Sequence, residues 1–420
     1  MGVAIIESAP LRNRPKLLSI TSEVPWPLNS GGHLRTYHLQ NALGREFDAQ
    51  LVCPHNESTQ GTADLPDDTS FRLAKFEVPS RSLVSETGRI GRAQWHRAPY
   101  SMYFRHHRRR LQRRWNESIA AQRPDFVWLD HIDSFLYLPE KMPSGSRVVI
   151  DLHNIYSLIL RRLAEEGGNL LRRTALGVEA NRMARVEREL CQRVDAVVAV
   201  SDAEAAYYRA LGAKRVHVAP NGVDCIGVSY LQRQPAEDAP VILFVGAMDW
   251  QPNVSAAISL AKEIFPTIRQ TWPHARLNLV GKNPIEAVEQ LNELEGVTVT
   301  GTVPSMTPFL KEASVFAVPL DSGGGTRLKI LEAFAAGVPV VSTPVGAEGI
   351  EASDGVHLRI ASRESMANVV MQVLRDEQGK QLAVAARKLV EERYDWRTIG
   401  RQACDFLRSI STPCTEPAAN

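Results

Sequence analysis

At 420 residues, 44% hydrophobic and 23% charged, the chain has the make-up of folded globular protein and is too long for one ordinary core, so two or three domains are expected. That composition excludes a disordered chain, and no stretch approaches the roughly 18 unbroken apolar residues of a membrane span. The net charge of +2 conceals an asymmetry, roughly +7 up to Ala236 and about −5 beyond it, as expected for two units with different partners.

The N-terminus has no basic start followed by an apolar run, so no secretory signal is expected. Ile6 stands where a myristoylation signal carries Ser or Thr. Cys53, Cys191, Cys225, Cys404 and Cys414 are odd in number and never in CxxC spacing, which argues against a disulfide framework or a structural zinc site and for reduced thiols in the cytoplasm.

In chain order, short β-branched runs alternate with helical stretches, the pattern of an α/β protein with parallel sheets. Strands are expected at 16–21, 49–53, 126–129, 147–151, 196–200 and 216–218. Helices are expected at 33–43, at 101–121 and in one long run over 158–193. The polar stretch 56–69 reads as surface loop. A polar, two-proline segment at 231–240 (LQRQPAEDAP) interrupts the alternation, which restarts with strands at 241–245, 277–280, 297–300, 315–318 and 338–342. Two Rossmann-like domains are therefore expected, 1–235 and 236–395, with their parallel sheets facing each other across a cleft where open α/β sheets bind ligands. The amphipathic run 396–410 should form a closing helix that packs back toward the first domain, followed by a polar tail.

The densest chemical signal is VPLDSGGGTRLKILEAFAAGVPVVSTPVGAEGI, from Val318 to Ile350. A buried strand runs into three glycines, a helix begins near Thr326, and Arg327 and Lys329 put two cations at its first turn. Glycines let backbone approach a ligand, and the free N–H groups of a helix start attract an anion. Strand, glycine loop, helix start and two cations together describe a diphosphate cradle. Taken singly, the glycines read as a flexible turn and the cations as a solvated helix face.

This segment resembles the C-terminal signature of glycosyltransferase family four, retaining enzymes of the GT-B fold, in the form that carries a GGGTRLK-type loop. In that family two glutamates with seven residues between them bracket the loop and helix. Glu332 stands at the second, followed by the typical Ala-Phe-Ala-Ala-Gly-Val-Pro-Val-Val; Gly324 replaces the first. The resemblance implies that Glu332 accepts hydrogen bonds from the ribose of a nucleotide-sugar donor, with Gly324, Gly325 and Thr326 near its diphosphate. LFVGAMDWQPN resembles the opening loop of the donor domain, with Gly246 and Asn253 as donor contacts. Where many relatives have an Arg and a Lys there, this chain has Asp249, Trp250, Gln251 and Asn253, which leaves the phosphate charge to Arg327 and Lys329. Gly281 and Lys282 lie in the next loop, and Val303 is the expected base contact.

In the first half the resemblance places the pair Gly31 and Gly32 against the donor, with His33 and Arg35 on the first helical turn as donor or acceptor contacts. His131, after the strand FVWLD, corresponds to a histidine close to the donor sugar; by itself a lone histidine is as readily structural. His153 and Asn154 are expected acceptor contacts, while Asp130 and Asp151 read as strand-end residues with local hydrogen bonds. The run from Arg105 to Arg114 (RHHRRRLQRR) is by default a solvated helix face. With Tyr103, Phe104 and Trp115 beside it, it also resembles a basic amphipathic segment for an anionic membrane surface or lipid-linked acceptor. No nucleic-acid motif accompanies it.

The expected chemistry is transfer of a sugar from a nucleoside diphosphate to an acceptor hydroxyl with retention, in cell-envelope or exopolysaccharide glycan assembly, by a cytoplasmic protein peripheral at the inner membrane face. No Asp-x-Asp motif occurs, so no metal or other cofactor is expected. A nucleotide-sugar 2-epimerase and a non-catalytic nucleotide-sugar-binding protein of the same architecture are the alternatives. A dinucleotide oxidoreductase is a remote alternative, because no GxGxxG follows a strand.

Overall fold

The computed structural model describes residues 14–28, 30–55, 65–77, 83–100, 103–165, 169–231, 238–322, 327–375 and 377–411. The chain forms two compact units, one reaching Pro220 and taking back the chain from Ile399, the other running from Asn221 to Thr398. This division falls earlier than the expected 235/236 boundary. The reason is hydrogen bonding: Val223 N–H donates to Tyr394 C=O, Arg387 donates to the carbonyls of Cys225 and Val228, and Leu231 N–H donates to Ala336 C=O.

In the first unit, β1 (Lys16–Ile20), β2 (Asp48–His55), β3 (Arg72–Glu77), β4 (Phe126–Asp130), β5 (Arg147–Leu152), β6 (Ala196–Ala199) and β7 (Val216–Val218) form one parallel sheet in the order β3-β2-β1-β4-β5-β6-β7. Its central strands are apolar runs because crossover helices cover both faces; β4 is buried at every position. Strand β3 was not expected. It lies at the sheet edge and carries three charged residues in six, Arg72, Lys75 and Glu77, the kind of charge that protects an edge from pairing with other chains.

Two helices differ from expectation. The helix expected over 101–121 is a short 3-10 turn, Phe104–His106, then a helix Arg109–Gln122, because Arg108 is extended and its N–H donates to the Tyr137 hydroxyl. Residues 101 and 102 lie outside the described residues. The long run over 158–193 is two helices, Tyr156–Glu165 and Leu170–Arg193, the second capped by the Asn169 side chain accepting from Arg172 N–H. The closing helix Trp396–Ser411 packs from Ile399 onward on the first unit: Phe406 stacks on His217 at 4.8 Å, and Arg408 pairs with Glu46.

The second unit repeats the plan with β8 (Val241–Val245), β9 (Arg276–Val280), β10 (Val297–Val299), β11 (Val315–Val318), β12 (Val340–Ser342) and β13 (Arg359–Ile360), all parallel, in the order β10-β9-β8-β11-β12-β13. The two-residue β13 is too short to show a pattern in sequence. Each sheet reverses its winding once, between β1 and β4 and between β8 and β11. In doubly wound folds, ligand sites open at the carboxyl ends of such strands. Cys53, Cys191, Cys225 and Cys404 are free and buried; Cys414 lies outside the described residues.

The helix Arg109–Gln122 turns Leu111, Trp115 and Ile119 into the core, and Tyr103 and Phe104 are buried as well. Within the run, Arg109, Arg110, Arg113 and Arg114 are exposed, and the apolar half of the expected amphipathic segment belongs to the core. Among the described residues no helix is long and apolar enough to cross a membrane. Trp115→Ala should lower unfolding free energy by about 3–5 kcal/mol. Arg113→Gln and Arg114→Gln should each change it by less than about 0.5 kcal/mol. Chemical denaturation of the three variants measures both effects.

Candidate functional site

Two groups of side chains stand at the two strand-order reversals. In the second unit, β8 ends at Val245 and the chain turns through Gly246 into the helix Gln251–Ser259. Gly246 and Gly281 meet backbone to backbone: a Cβ on Gly281 would lie 1.7 Å from the Gly246 carbonyl oxygen, and one on Gly246 would lie 2.6 Å from the Asn253 side chain. No other residue fits at either place. Asn253, 4% exposed, is thereby pressed into the turn, where its Nδ2 donates to Ala247 C=O at 3.0 Å.

Its Oδ1 accepts from Lys329 Nζ at 3.0 Å. Lys329 lies on the helix Leu328–Ala335 that follows β11, and its ammonium also sits 4.9 Å over the Phe244 ring. Burial first, then the neighbouring Arg327, lowers the Lys329 pKa to about 7, with Glu332 opposing. Arg327, just before the helix, is buried; its guanidinium donates to Val345 C=O at 3.3 Å, and burial lowers its pKa too. Glu332 follows Lys329 on the same helix, half-buried, its carboxyl raised by burial. Val303 is half-buried in the loop after β10, packed on the core. Gly324, Gly325 and Thr326 lie outside the described residues. The described geometry thus brings Gly246, Gly281, Asn253, Arg327, Lys329 and Glu332 around one helix start.

In the first unit, Gly31 and Gly32 form the first turn of the helix Gly31–Glu46 rather than a loop before it, with Ser30 Oγ accepting from His33 N–H. A Cβ on Gly32 would touch His131 Cε1 at 3.5 Å and His153 Nδ1 at 3.9 Å, so the glycine leaves both imidazoles uncovered on that side. Those two rings lie 3.6 Å apart. His33 is held by Pro27 C=O, 2.7 Å from Nδ1, and by Glu23, 3.4 Å from Nε2, and the hydrogen bond to Glu23 raises its pKa.

Strands β4 and β5 pair Asp130 with Asp151 in register, which points both carboxylates to one side. His153 Nε2 reaches both, at 3.2 Å to Asp130 Oδ1 and 3.4 Å to Asp151 Oδ2. Thr36 Oγ1 donates to the other Asp130 oxygen at 2.8 Å. Arg35, expected as a donor or acceptor contact, is instead wholly interior: Nε donates to Asp151 at 3.0 Å and NH1 to Ala219 C=O at 2.6 Å. His153, expected as an acceptor contact, is likewise buried among these groups. Asn154 is half-buried, and its carbonyl accepts from the Tyr208 hydroxyl at 3.0 Å.

Burial would lower His153, but its hydrogen bonds to Asp130 and Asp151 outweigh this and lift it to about 9. Burial and then the charge on His153 push His131 the other way, to about 4. Burial would raise Asp130, yet the two histidines hold it well below the usual carboxylate range, and Arg35 does most to hold Asp151 low against the same burial. Asp130, His131 and His153 offer ligand atoms within 4.8 Å of one another, a trio able to hold a metal ion. The roles of Thr36 and Glu23 were not read from sequence. An acidic residue closing a buried strand, as in FVWLD and VVIDL, was the visible signal for the rest.

Two units, each built on one parallel sheet with a single reversal of strand order, are the architecture of the GT-B fold. Residues 30–225 match the family described as Glycosyltransferase Family 4, and residues 239–376 match that described as Glycosyl transferases group 1. The chain belongs to glycosyltransferase family four. It is 29% identical over 225 residues to a phosphatidyl-myo-inositol mannosyltransferase of Mycolicibacterium smegmatis, a match over 51% of this chain and 57% of that protein. The chain spans about half the length of the curated relatives it matches. Its fold is shared with sucrose-phosphate synthase of Thermosynechococcus elongatus, with TM-score 0.66 and 16% identity over 94% of this chain and 99% of that one. It is shared also with Anabaena HepE, solved with UDP and glucose, with TM-score 0.60 and 16% identity over 94% of this chain and 100% of that one.

The His153 shift has a consequence for stability. A folded-state pKa above the unfolded one stabilises fully below the unfolded value, near 6.5, and the gain is lost as pH rises through about 9. His153→Ala should therefore lower the thermal midpoint most at pH 6 and least at pH 9.5, the gap corresponding to roughly 3 kcal/mol. A deficit that does not change with pH would contradict the buried imidazolium.

Proposed function

We propose that the chain transfers a sugar from a nucleoside-diphosphate donor to an acceptor hydroxyl, with retention and without a divalent metal, in cell-envelope or exopolysaccharide glycan assembly. The observation that carries this reading is the pair Arg327 and Lys329 at the start of the helix after β11, with Lys329 held by the neutral amide of Asn253. A cation paired with an amide keeps its charge for an incoming anion, and a diphosphate would draw the lowered Lys329 pKa back up. Membership of family four supports the reaction class, and the complex of Anabaena HepE with UDP and glucose supports a nucleotide donor.

In the reaction, the bond from the anomeric carbon to the donor phosphate oxygen breaks and a bond to the acceptor oxygen forms on the same face. The acceptor proton passes to the leaving diphosphate, so no protein nucleophile is required. Arg327, Lys329 and the helix start stabilise the charge that builds on that phosphate. Glu332 holds the ribose hydroxyls, which a carboxylate can accept in pairs, and His131 contacts the transferred sugar. The two cations at the helix start supply charge that a divalent ion would otherwise bring, which supports the metal-independent reading.

A screen of UDP-, GDP- and ADP-sugars, read by thermal shift and diphosphate release with and without EDTA, tests this. One donor class should stabilise the protein and be slowly hydrolysed in either condition. Arg327→Ala, Lys329→Ala and Glu332→Ala should each cut kcat/KM by about 10²-fold. No binding of any donor would remove the assigned site. Turnover only with added metal would overturn metal independence, and an epimerised donor without diphosphate release would replace transfer by epimerisation.

For the acceptor, the outward Arg109, Arg110, Arg113 and Arg114 support attachment to an anionic membrane surface by charge alone. Sedimentation with phosphatidylserine vesicles should be lost in 0.5 M salt, on the order of a 4 Å screening length, and on changing all four arginines to Gln. Binding that survives either treatment would contradict an electrostatic attachment.

A further inference from the structure

In the second unit, one arginine on a separate element holds the chain that leads to the cation-bearing helix start. Strand β11 ends at Val318, and Pro319, Leu320 and Asp321 carry the chain on towards Arg327. Two braces hold this segment. At the end of β12, Thr343 N–H donates to Val318 C=O at 3.1 Å, and the Thr343 hydroxyl donates to Leu320 C=O. The second brace is Arg363, which opens the helix Arg363–Arg375 after β13. Its Nε donates to Pro319 C=O at 2.9 Å, and its Nη1 lies 2.7 Å from Asp321 Oδ2. The third nitrogen, Nη2, donates to Ser255 Oγ at 3.2 Å, on the helix Gln251–Ser259. That same helix carries Asn253, which accepts from Lys329.

We propose that Arg363 is a positioning residue for the donor diphosphate: by holding Pro319, Asp321 and Ser255 with one guanidinium, it fixes the chain leading to Arg327 and the helix that carries Asn253, and so aims Arg327 and Lys329. The proposal rests on the donor-site reading above.

Three features fit this role. First, the helix dipole disfavours a cation in the opening turn, so the helix that Arg363 begins gives no reason of its own for an arginine there. Its neighbours suit a helix start: Glu364 is acidic, and the Ser362 hydroxyl accepts from Ser365 N–H at 3.3 Å. Second, the Asp321 side chain is 58% exposed, so an ion pair alone would contribute little. Pro319 is buried, and its carbonyl would lose the guanidinium as a partner, which is where removal is costly. Third, carbonyl, carboxylate and hydroxyl are gripped at once, which the planar fork of arginine allows and the single ammonium of lysine does not. Asp321 precedes Arg327 by six residues, and Ser255 follows Asn253 by two. One side chain thus acts on both cations, on Arg327 along the chain and on Lys329 through Asn253. Charges that stabilise a leaving phosphate do so by being held in place beforehand.

Isothermal titration of the full-length protein with UDP, GDP and ADP, well below each variant's unfolding midpoint, tests the role. Arg363→Ala should raise the Kd of the nucleotide that the wild type binds about tenfold, the weight of one charged hydrogen bond. Arg363→Lys should not restore it. Asp321→Ala, although it removes a negative charge, should weaken the same nucleotide by roughly twofold to threefold. An arginine that only supports the fold would lower the midpoint of Arg363→Ala and leave its Kd at the wild-type value, which overturns the role. Rescue by lysine, or tighter binding in Asp321→Ala, would mean that Arg363 acts on the ligand through its charge, and overturns it equally. Should Arg363→Ala not fold, the lysine variant and Asp321→Ala decide the matter. A wild type that binds none of the three nucleotides removes the donor-site reading and this role with it. Wild-type binding with an unchanged Kd in the variants removes the role alone.

Discussion

Each half of this chain depends on one reversal of winding in a parallel sheet. Where β1 lies beside β4 and β8 beside β11, the carboxyl ends of the strands are left uncovered, because the connections leaving the two neighbours depart to opposite faces. Residues just past these ends are the ones free to converge: Gly246 and Asn253 with Lys329 in one unit, and Asp130 and His131 with His153 in the other. The apolar strands, buried on both faces, fix where these residues stand. The helices that follow decide which side chains face the gap.

The two reversals hold their charges differently. In the first unit, Arg35 and His153 each meet carboxylates without solvent, so the cations are consumed internally and the group closes near neutrality. In the second, Lys329 meets an amide, and Arg327 meets a backbone carbonyl. Burial there disfavours both cations and lowers Lys329 to about 7, so an arriving anion restores what folding disfavours.

Much of this could be read from the chain. Apolar runs such as VVIDL and VILFV announced the central strands, and the apolar pattern after Arg327 announced the helix that carries Lys329 and Glu332. Failures follow from physics that acts between segments. Arg35 looks in sequence like any first-turn arginine, and only the register of β4 on β5 shows that Asp151 awaits it. His153 reads as a strand-end contact until Asp130 is placed beside it. The helices expected over 101–121 and 158–193 were interrupted by an external hydrogen bond at Arg108 and a local cap at Asn169. Strand β3 hid because edge strands carry charge to avoid pairing.

Hydrogen–deuterium exchange on the full chain, with UDP, GDP and ADP in turn, tests most directly whether the reversal in the second unit is the donor site. The account predicts that one of the three slows exchange at backbone amides in 246–253 and 327–335. Slowed exchange confined to the first unit, or none with any of the three at saturating concentration, would contradict it.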